Sequence, residues 1–382
     1  MTIDFRPSWM DDDLELYRGS VRRFVETEMQ PDDEAARKRG HVGKEIWRRA
    51  GELGLLCTDI PGRYGGADGD FRHEAVLYEE MARRSLTGMC PSIHSIVAHY
   101  FLNHGTEAQK HAFLPRMARG EIVGALAMTE PGAGSDLQAL RTRAERRGDH
   151  YVLNGAKTFI TNGFLAGVVL VAAKTDSAAG AGGTSILIVE TDDCPGFRVG
   201  RLLDKIGLKA QDTCELFFDD VRVPADRVLG GVAGQGFYQM MSDLPYERLI
   251  IGVMAAAAME GAYEAALEYV RYREAFGRPL VEFQNTRFKL AEIATTIKAT
   301  RCFIDRCVED LVAGRLDTAS ASMAKLWGSE QQGRVVDECL QLFGGYGFMN
   351  ETMVGRMYGD ARIQRIYGGT SEIMKEVIAR AM

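Results

Sequence analysis

Three stretches of the chain carry side chains whose types and spacing suit chemistry on a bound ligand. Thr129-Glu130-Pro131-Gly132-Ala133-Gly134-Ser135-Asp136 follows a β-rich run and offers glycines, a hydroxyl at either end and exposed backbone N–H groups. Such a loop grips carbonyl or phosphate oxygens. It is not a dinucleotide fingerprint, because Gly132-x-Gly134-x-x-Leu137 lacks the third glycine and strand texture follows instead of a long helix. Taken alone it reads more readily as a tight turn. Downstream, Lys157-Thr158-Phe159-Ile160-Thr161-Asn162-Gly163 gathers an aromatic ring, a hydroxyl and an amide at the end of a strand, a group suited to covering a planar ring system. The third stretch is Glu247-Arg248-Leu249, a carboxylate at the head of an apolar helix. An isolated glutamate on a helix is ordinarily a solvated surface residue. His94, His99 and His104 recur every five residues, which does not stack ligands on one helix face, and no HExxH occurs, so no metal site is expected.

The elements that must position these residues follow from periodicity. Apolar residues recur at helical spacing from Asp11 to about Gly120, interrupted by a glycine-rich loop over 60–70. Short β-rich runs with turn signals follow over 123–129, 151–161, 168–174, 185–190 and 215–223. The helical period then returns over roughly 236–273, 283–313, 318–343 and 371–380. The expected fold is α+β and mainly helical: an N-terminal helical domain over 1–122, a middle antiparallel β domain over 123–231 and a C-terminal four-helix bundle over 232–382. With 46 basic against 53 acidic residues, the net charge of −7 provides no field for nucleic acid or an anionic membrane. The most apolar run, 249–259, is shorter than a bilayer span and reads as a buried helix; the acidic N-terminus does not read as a signal peptide, so the cytoplasm is the expected compartment. Seven scattered cysteines without a CxxC predict reduced, buried thiols.

Together the two middle segments resemble those of the flavin-dependent acyl-CoA dehydrogenase family, with its TEPGAGSD run followed by W-I-T-N or F-I-T-N. The similarity extends to Arg273-Glu274-Ala275-Phe276-Gly277, like the family's R-x-x-F-G, and to Gln341-Leu342-Phe343-Gly344-Gly345-Tyr346-Gly347, like its Q-x-x-G-G-x-G. The resemblance implies FAD held by Met128, Thr129, Ser135, Phe159 and Thr161 of one subunit. It assigns the rest of the cofactor site to Arg273, Phe276, Gln284, Gln341, Gly344 and Gly345 of a neighbour, with Thr370 and Glu372 nearby. Phe159 stands where many relatives carry tryptophan; both rings can cover a flavin, but the indole donor is absent here.

The implied reaction removes a proton beside a thioester carbonyl and passes the β-hydride to flavin N5, which requires a positioned carboxylate. Many relatives supply it from an I-Y-E-G-T loop; this chain reads Ile366-Tyr367-Gly368-Gly369-Thr370. A smaller group, resembling the long-chain and isovaleryl-CoA enzymes, carries the glutamate in an E-R-L segment, which makes Glu247 the base. Glycine at 368 fits that assignment, since a second carboxylate there would disturb the first. Gly368 still supplies a backbone N–H to the thioester oxygen. Ser135, Tyr246, Arg248, Gly369 and His94 are the implied substrate contacts, although Arg248 is equally suited to a buried ion pair and His94 to a structural hydrogen bond. Acyl-CoA is the implied substrate, an electron-transferring flavoprotein the implied acceptor and a homotetramer the implied assembly. Two rivals are a flavin oxidase or carrier-protein dehydrogenase of the same fold, and a catalytically silent acyl-CoA-binding protein.

Overall fold

The computed structural model describes residues 4–382. Asp11 caps α1 (Asp12–Phe24) by accepting the Leu14 N–H, and Leu14, Arg18, Val21 and Phe24 recur on its inner face. The short helices α2 (Asp33–Arg39) and α3 (Lys44–Glu52) lead to α4 (Phe71–Arg83), against which α1 packs. Then come α5 (Pro91–His104) and α6 (Glu107–Ala118); Asp70 and Thr106 close capping boxes at the starts of α4 and α6.

The middle strands are β1 (Val123–Ala127), β2 (Arg143–Arg147), β3 (His150–Thr161), β4 (Ala166–Lys174), β5 (Thr184–Glu190), β6 (Phe197–Leu202) and β7 (Thr213–Pro224). They form one sheet in the order β1-β4-β2-β3-β7-β6, with β5 pairing β4. The sheet is mostly antiparallel as expected, but β1 runs parallel to β4, with Ala125 opposite Val169. The chain between them crosses over through the glycine-rich loop and the β2–β3 hairpin, the long return a parallel pair needs. β2 and β6 escape sequence reading because they bury little: Ala144 is the one buried residue of β2, and β6 has none. Strands without a buried face show no alternation.

The C-terminal third holds α7 (Gly236–Ser242), α8 (Leu244–Tyr272), α9 (Gln284–Val312), α10 (Thr318–Phe343), α11 (Met353–Ile363) and α12 (Ser371–Arg380). Two differences from the expected four helices stand out. The stretch over 236–273 divides at Asp243, because Pro245 in the first turn of α8 has no N–H to continue the ladder. α11 is additional; its short face of Val354, Met357 and Ala361 is interspersed with Gly355 and Gly359, which blurs the period.

α8 is the spine of the molecule. A Cβ at Gly328 of α10 would lie 3.3 Å from the Gly252 Cα, and one at Gly261 would lie 2.0 Å from the Arg83 carbonyl oxygen of α4. Glycine is required at the second crossing, and both bring backbones close enough to clamp α8 between its neighbours. The segment Gly236–Tyr272 is long and apolar enough to cross a membrane by length and composition, yet 83% of its most apolar window is buried inside the protein, as a core helix requires. A buried ionic hub joins the layers: Arg301 of α9 meets Glu79 of α4 at 2.6 Å, Glu260 of α8 at 2.6 Å and Asp305 at 3.4 Å, while Arg18 of α1 meets Glu79 at 2.7 Å. All seven cysteines are free, but only Cys57, Cys214, Cys307 and Cys339 are fully buried; Cys302 is exposed on the outer face of α9, contrary to expectation.

Candidate active site

A cavity of about 520 Å³ opens where the helical layers meet the sheet, lined by α4, α5, α7, α8, the glycine-rich loop and the turn before α12. Glu247, in the first turn of α8, lines it. Its Oε1 accepts the Tyr100 hydroxyl at 3.2 Å. Burial, reinforced by the Asp243 carboxylate one turn earlier, pushes the Glu247 carboxyl up to about 7, with the Tyr100 hydrogen bond and Arg248 opposing. Such a group is partly ionised near neutrality and basic enough to take a proton. Asp243 itself accepts Asn103 Nδ2 at 2.7 Å and faces His104 Nε2 at 2.8 Å, so it is fixed in place.

Gly368 and Gly369 form part of the same cavity wall, with φ of 61° and 96°. A Cβ at 368 would start 2.7 Å from Ile251 Cδ1, so the glycine keeps open the space that a side chain would enter. Two further carboxylates line the cavity. Asp360 is engaged on both oxygens, by the Leu208 N–H at 2.5 Å and the Ser85 hydroxyl at 2.8 Å, and Asp136 accepts the Gln138 N–H at 3.1 Å. Asp136 is exposed, so among these three Glu247 is the one both shielded from water and held only by a weak neutral donor on a single oxygen.

The glycine-rich loop is stapled from beneath. Lys157, fully buried on β3, donates to the Met128 carbonyl and to Glu130 Oε1, both at 2.9 Å. Glu130 also accepts the Arg141 and Thr142 N–H groups at 2.7 and 3.0 Å. This leaves Met128, Thr129 and Ser135 on the cavity wall, while a Cβ at Gly132 or Gly134 would meet nothing within 4 Å. Facing them are Phe159 and Thr161. Phe159 has φ of 59° and is 67% exposed, an aromatic ring held in a left-handed conformation at a break in the β3–β7 register. A bulky residue adopts that conformation only where its surroundings impose it.

The remaining predicted residues fall into four groups. Arg248 lines the cavity and donates to Ser322 Oγ at 2.9 Å; no carboxylate lies within 4 Å of it among the described residues, so the buried ion pair is not formed. Tyr246 and His94 do not line the cavity. Tyr246, a 100° helical step from Glu247, donates to Asp59 Oδ2 at 3.1 Å and stacks on His99 with ring centroids 4.1 Å apart. His94 is fully buried, accepting the Gly124 N–H on Nδ1 at 3.0 Å and donating from Nε2 to the Met117 carbonyl at 3.1 Å; burial pushes its pKa down to about 4. It is a neutral bracket joining α5, α6 and β1. The cavity wall from α5 is instead Pro91, Ser92, Ile93 and Ile96.

Arg273, Phe276, Gln284, Gln341, Gly344 and Gly345 are also absent from the cavity wall. Stacking of Tyr269 on Phe343, with centroids 4.3 Å apart, brings the ends of α8 and α10 together beside them, and Phe276 is 96% exposed at the tip of a short hairpin. Thr370 accepts the Ile373 N–H at 3.3 Å as the cap of α12, and Glu372 is exposed in its first turn. The sequence gives little sign of Tyr100 or Lys157 as site residues; Asp243 carries one signal, its placement four residues before Glu247 on the same helical face.

Known proteins share this chain's fold and the order of its regions. Residues 11–121, 125–221 and 234–382 match the family descriptions "Acyl-CoA dehydrogenase, N-terminal domain", "middle domain" and "C-terminal domain". The long-chain specific acyl-CoA dehydrogenase, mitochondrial, of Rattus norvegicus is 48% identical over 369 residues, covering 96% of this chain and 85% of that protein. The crystal structure of an acyl-CoA dehydrogenase from Geobacillus kaustophilus is similar at TM-score 0.94 and 43% identity, covering 98% of this chain and 99% of that one. A glutaryl-CoA dehydrogenase from Mycobacterium smegmatis, determined in complex with FADH2, is similar at TM-score 0.90 and 30% identity, covering 97% and 95%. With all three of its regions matched in order and its fold shared end to end, the chain belongs to the acyl-CoA dehydrogenase family.

Proposed function

We propose that the protein dehydrogenates a long straight-chain acyl-CoA to the trans-2-enoyl thioester, with Glu247 as the base that removes the α-proton. The observation that carries this reading is a single weakly engaged, near-neutral carboxyl on the wall of an apolar cavity, in the same cavity as the side-chain-free turn at Gly368. The Glu247 carboxylate takes the α-proton and becomes the acid; the Gly368 N–H donates to the thioester oxygen, where charge develops as the proton leaves.

The residues around the loop fit FAD. Open backbone at Gly132 and Gly134, the hydroxyls of Thr129, Ser135 and Thr161 and the bare ring of Phe159 form a cradle with polar donors and one aromatic face. FAD held there supplies the acceptor for the hydride that leaves the β-carbon. Arg273, Phe276, Gln284, Gln341, Gly344 and Gly345 complete the cradle of a second copy in this reading, which gives the exposed Phe276 ring a partner and makes the oligomer part of the site. An electron-transferring flavoprotein is the proposed acceptor from the reduced enzyme.

The substrate class rests on the length of the cavity. Glu247, Ile251, Met254 and Ala258 lie on one stripe of α8 and all line it. The eleven helical steps from the first to the last span about 16 Å, room for an extended chain of roughly a dozen carbons. Ala82, Ser85 and Ala258 add little bulk to its walls.

Anaerobic titration of the yellow holoprotein with acyl-CoA esters of increasing length tests the proposal. Bleaching is expected to be fastest with chains of twelve or more carbons, followed by reoxidation by electron-transferring flavoprotein rather than by oxygen. Ala258→Phe is expected to lower kcat/KM for palmitoyl-CoA by tenfold or more while leaving hexanoyl-CoA within about threefold. Equal losses at both lengths would remove the long-chain assignment.

A further inference from the structure

α10 carries a lysine that the reaction just described does not use. Lys325 is fully buried, and among the described residues its one hydrogen-bond partner is the Gly369 carbonyl oxygen. No carboxylate lies within 4 Å of its Nζ among the described residues. A buried ammonium is costly unless paired, and a fold needing only volume at this point would be served as well by methionine. The neighbourhood makes the cost larger, because Arg248, held by Ser322 one turn earlier on α10, places a second buried cation nearby.

What the ammonium holds is the cavity wall. Gly368 and Gly369 both have positive φ, a conformation glycine adopts readily but only as one among many. A charge-assisted hydrogen bond drawing the Gly369 carbonyl into the bundle selects one of these and fixes the peptide planes of the turn. We propose that Lys325 is a positioning residue for α-proton removal, locking the Gly368–Gly369 turn so that its backbone donor meets the thioester oxygen. This rests on the acyl-CoA reading of the cavity.

The charges facing Lys325 are Arg248 from α8, Glu330 from its own helix and Glu372 from α12. Glu330 is engaged by the Ser371 hydroxyl at 2.9 Å and by Arg365 at 3.4 Å. Burial, then Arg248, pushes the Lys325 ammonium down to about 8 against the pull of the two glutamates. Its folded pKa thus lies below the ordinary lysine value, so deprotonation through pH 8 relieves a burial cost and does not itself unfold the protein. A fall in rate over that interval would therefore report the turn and not global stability.

The test uses FAD-loaded enzyme and a 3-thia-dodecanoyl-CoA probe, which has an exchangeable α-proton but no β C–H to give up. Exchange of that proton with D2O, followed by NMR, isolates the step. In the wild type, exchange is expected to decline above about pH 8. Lys325→Met is expected to slow it about 100-fold with probe affinity within threefold, and Lys325→Arg to recover most of the rate and lose the alkaline decline. Methionine exchanging as fast as lysine overturns the proposal. If Lys325→Met does not fold, the wild type decides through hydrogen-exchange protection of residues 366–371, which is expected to drop through pH 8; constant protection overturns it. A wild type that neither exchanges the probe nor bleaches with acyl-CoA would instead remove the acyl-CoA reading itself.

Discussion

Glu247→Gln is expected to retain bound FAD and acyl-CoA and to lose at least 10³-fold in the rate of anaerobic bleaching, within the range a general base contributes. Glutamine keeps the length and the Tyr100 contact but cannot accept the proton, so binding survives and the chemical step does not. Stopped-flow bleaching together with equilibrium binding of the enoyl product separates the two. The ionisation carries a second signature. Because burial raises the Glu247 carboxyl to about 7, the rate in the wild type should climb as pH passes through that value. Stability moves the other way. A folded pKa above the unfolded one favours the fold fully below the ordinary carboxylate range, and that benefit is lost as pH rises through about 7. Glu247→Gln should consequently melt above the wild type at pH 8 and with it at pH 5. Wild-type bleaching in the variant would move the base elsewhere, and Asp360, with both oxygens already engaged, would be the next carboxylate to examine.

Arg301→Ala is expected to cost about 3–5 kcal/mol of stability, the range for breaking a buried ion pair by removing one partner. Arg301 is fully buried between Glu79, Glu260 and Asp305, and Asp305 also accepts the Trp9 indole at 3.1 Å and the Ser8 N–H at 2.9 Å. Without the guanidinium, Arg18 and Arg83 remain to offset three acidic groups that also repel one another. The loss should appear as a melting temperature lower by roughly 10 °C for a chain of this size. Neutralising one acid alongside, in Arg301→Met with Asp305→Asn, should recover a large part of it, because Arg18 and Arg83 then stay paired with Glu79 and Glu260 and the cost lies in uncompensated charge, not in missing volume. A melting temperature unchanged in Arg301→Ala would show that water reaches the hub. Glu260, the hub's residue on α8, is more than three turns along the helix from Glu247, so the double variant is expected to keep wild-type bleaching once folded.

Much of the site was legible because it is written locally. The loop over 129–136, the aromatic segment over 157–163 and the helix beginning near Glu247 each announce themselves through residues a few positions apart. The pairing of glutamate at 247 with glycine at 368 needs only the chemistry of one base per site. What could not be read is of another kind. Tyr246 and His94 have the right types for a ligand pocket, and the direction of one helical step and a pair of backbone partners turns them away from it.

By itself the sequence determined which segments are helix and strand wherever a buried face repeats over a long run uninterrupted by glycine, which loop can grip a ligand, and that a lone carboxylate stands at the head of an apolar helix. Tertiary structure alone decided that this carboxylate is lifted towards neutrality, that β1 lies parallel to β4, and that Lys325, Arg301 and Tyr100 have work to do. Their partners are 44, 222 and 147 residues away along the chain. Periodicity reports which side of an element is buried; burial cost, charge and hydrogen bonding depend on what packing brings alongside, and no local pattern encodes a neighbour at that separation.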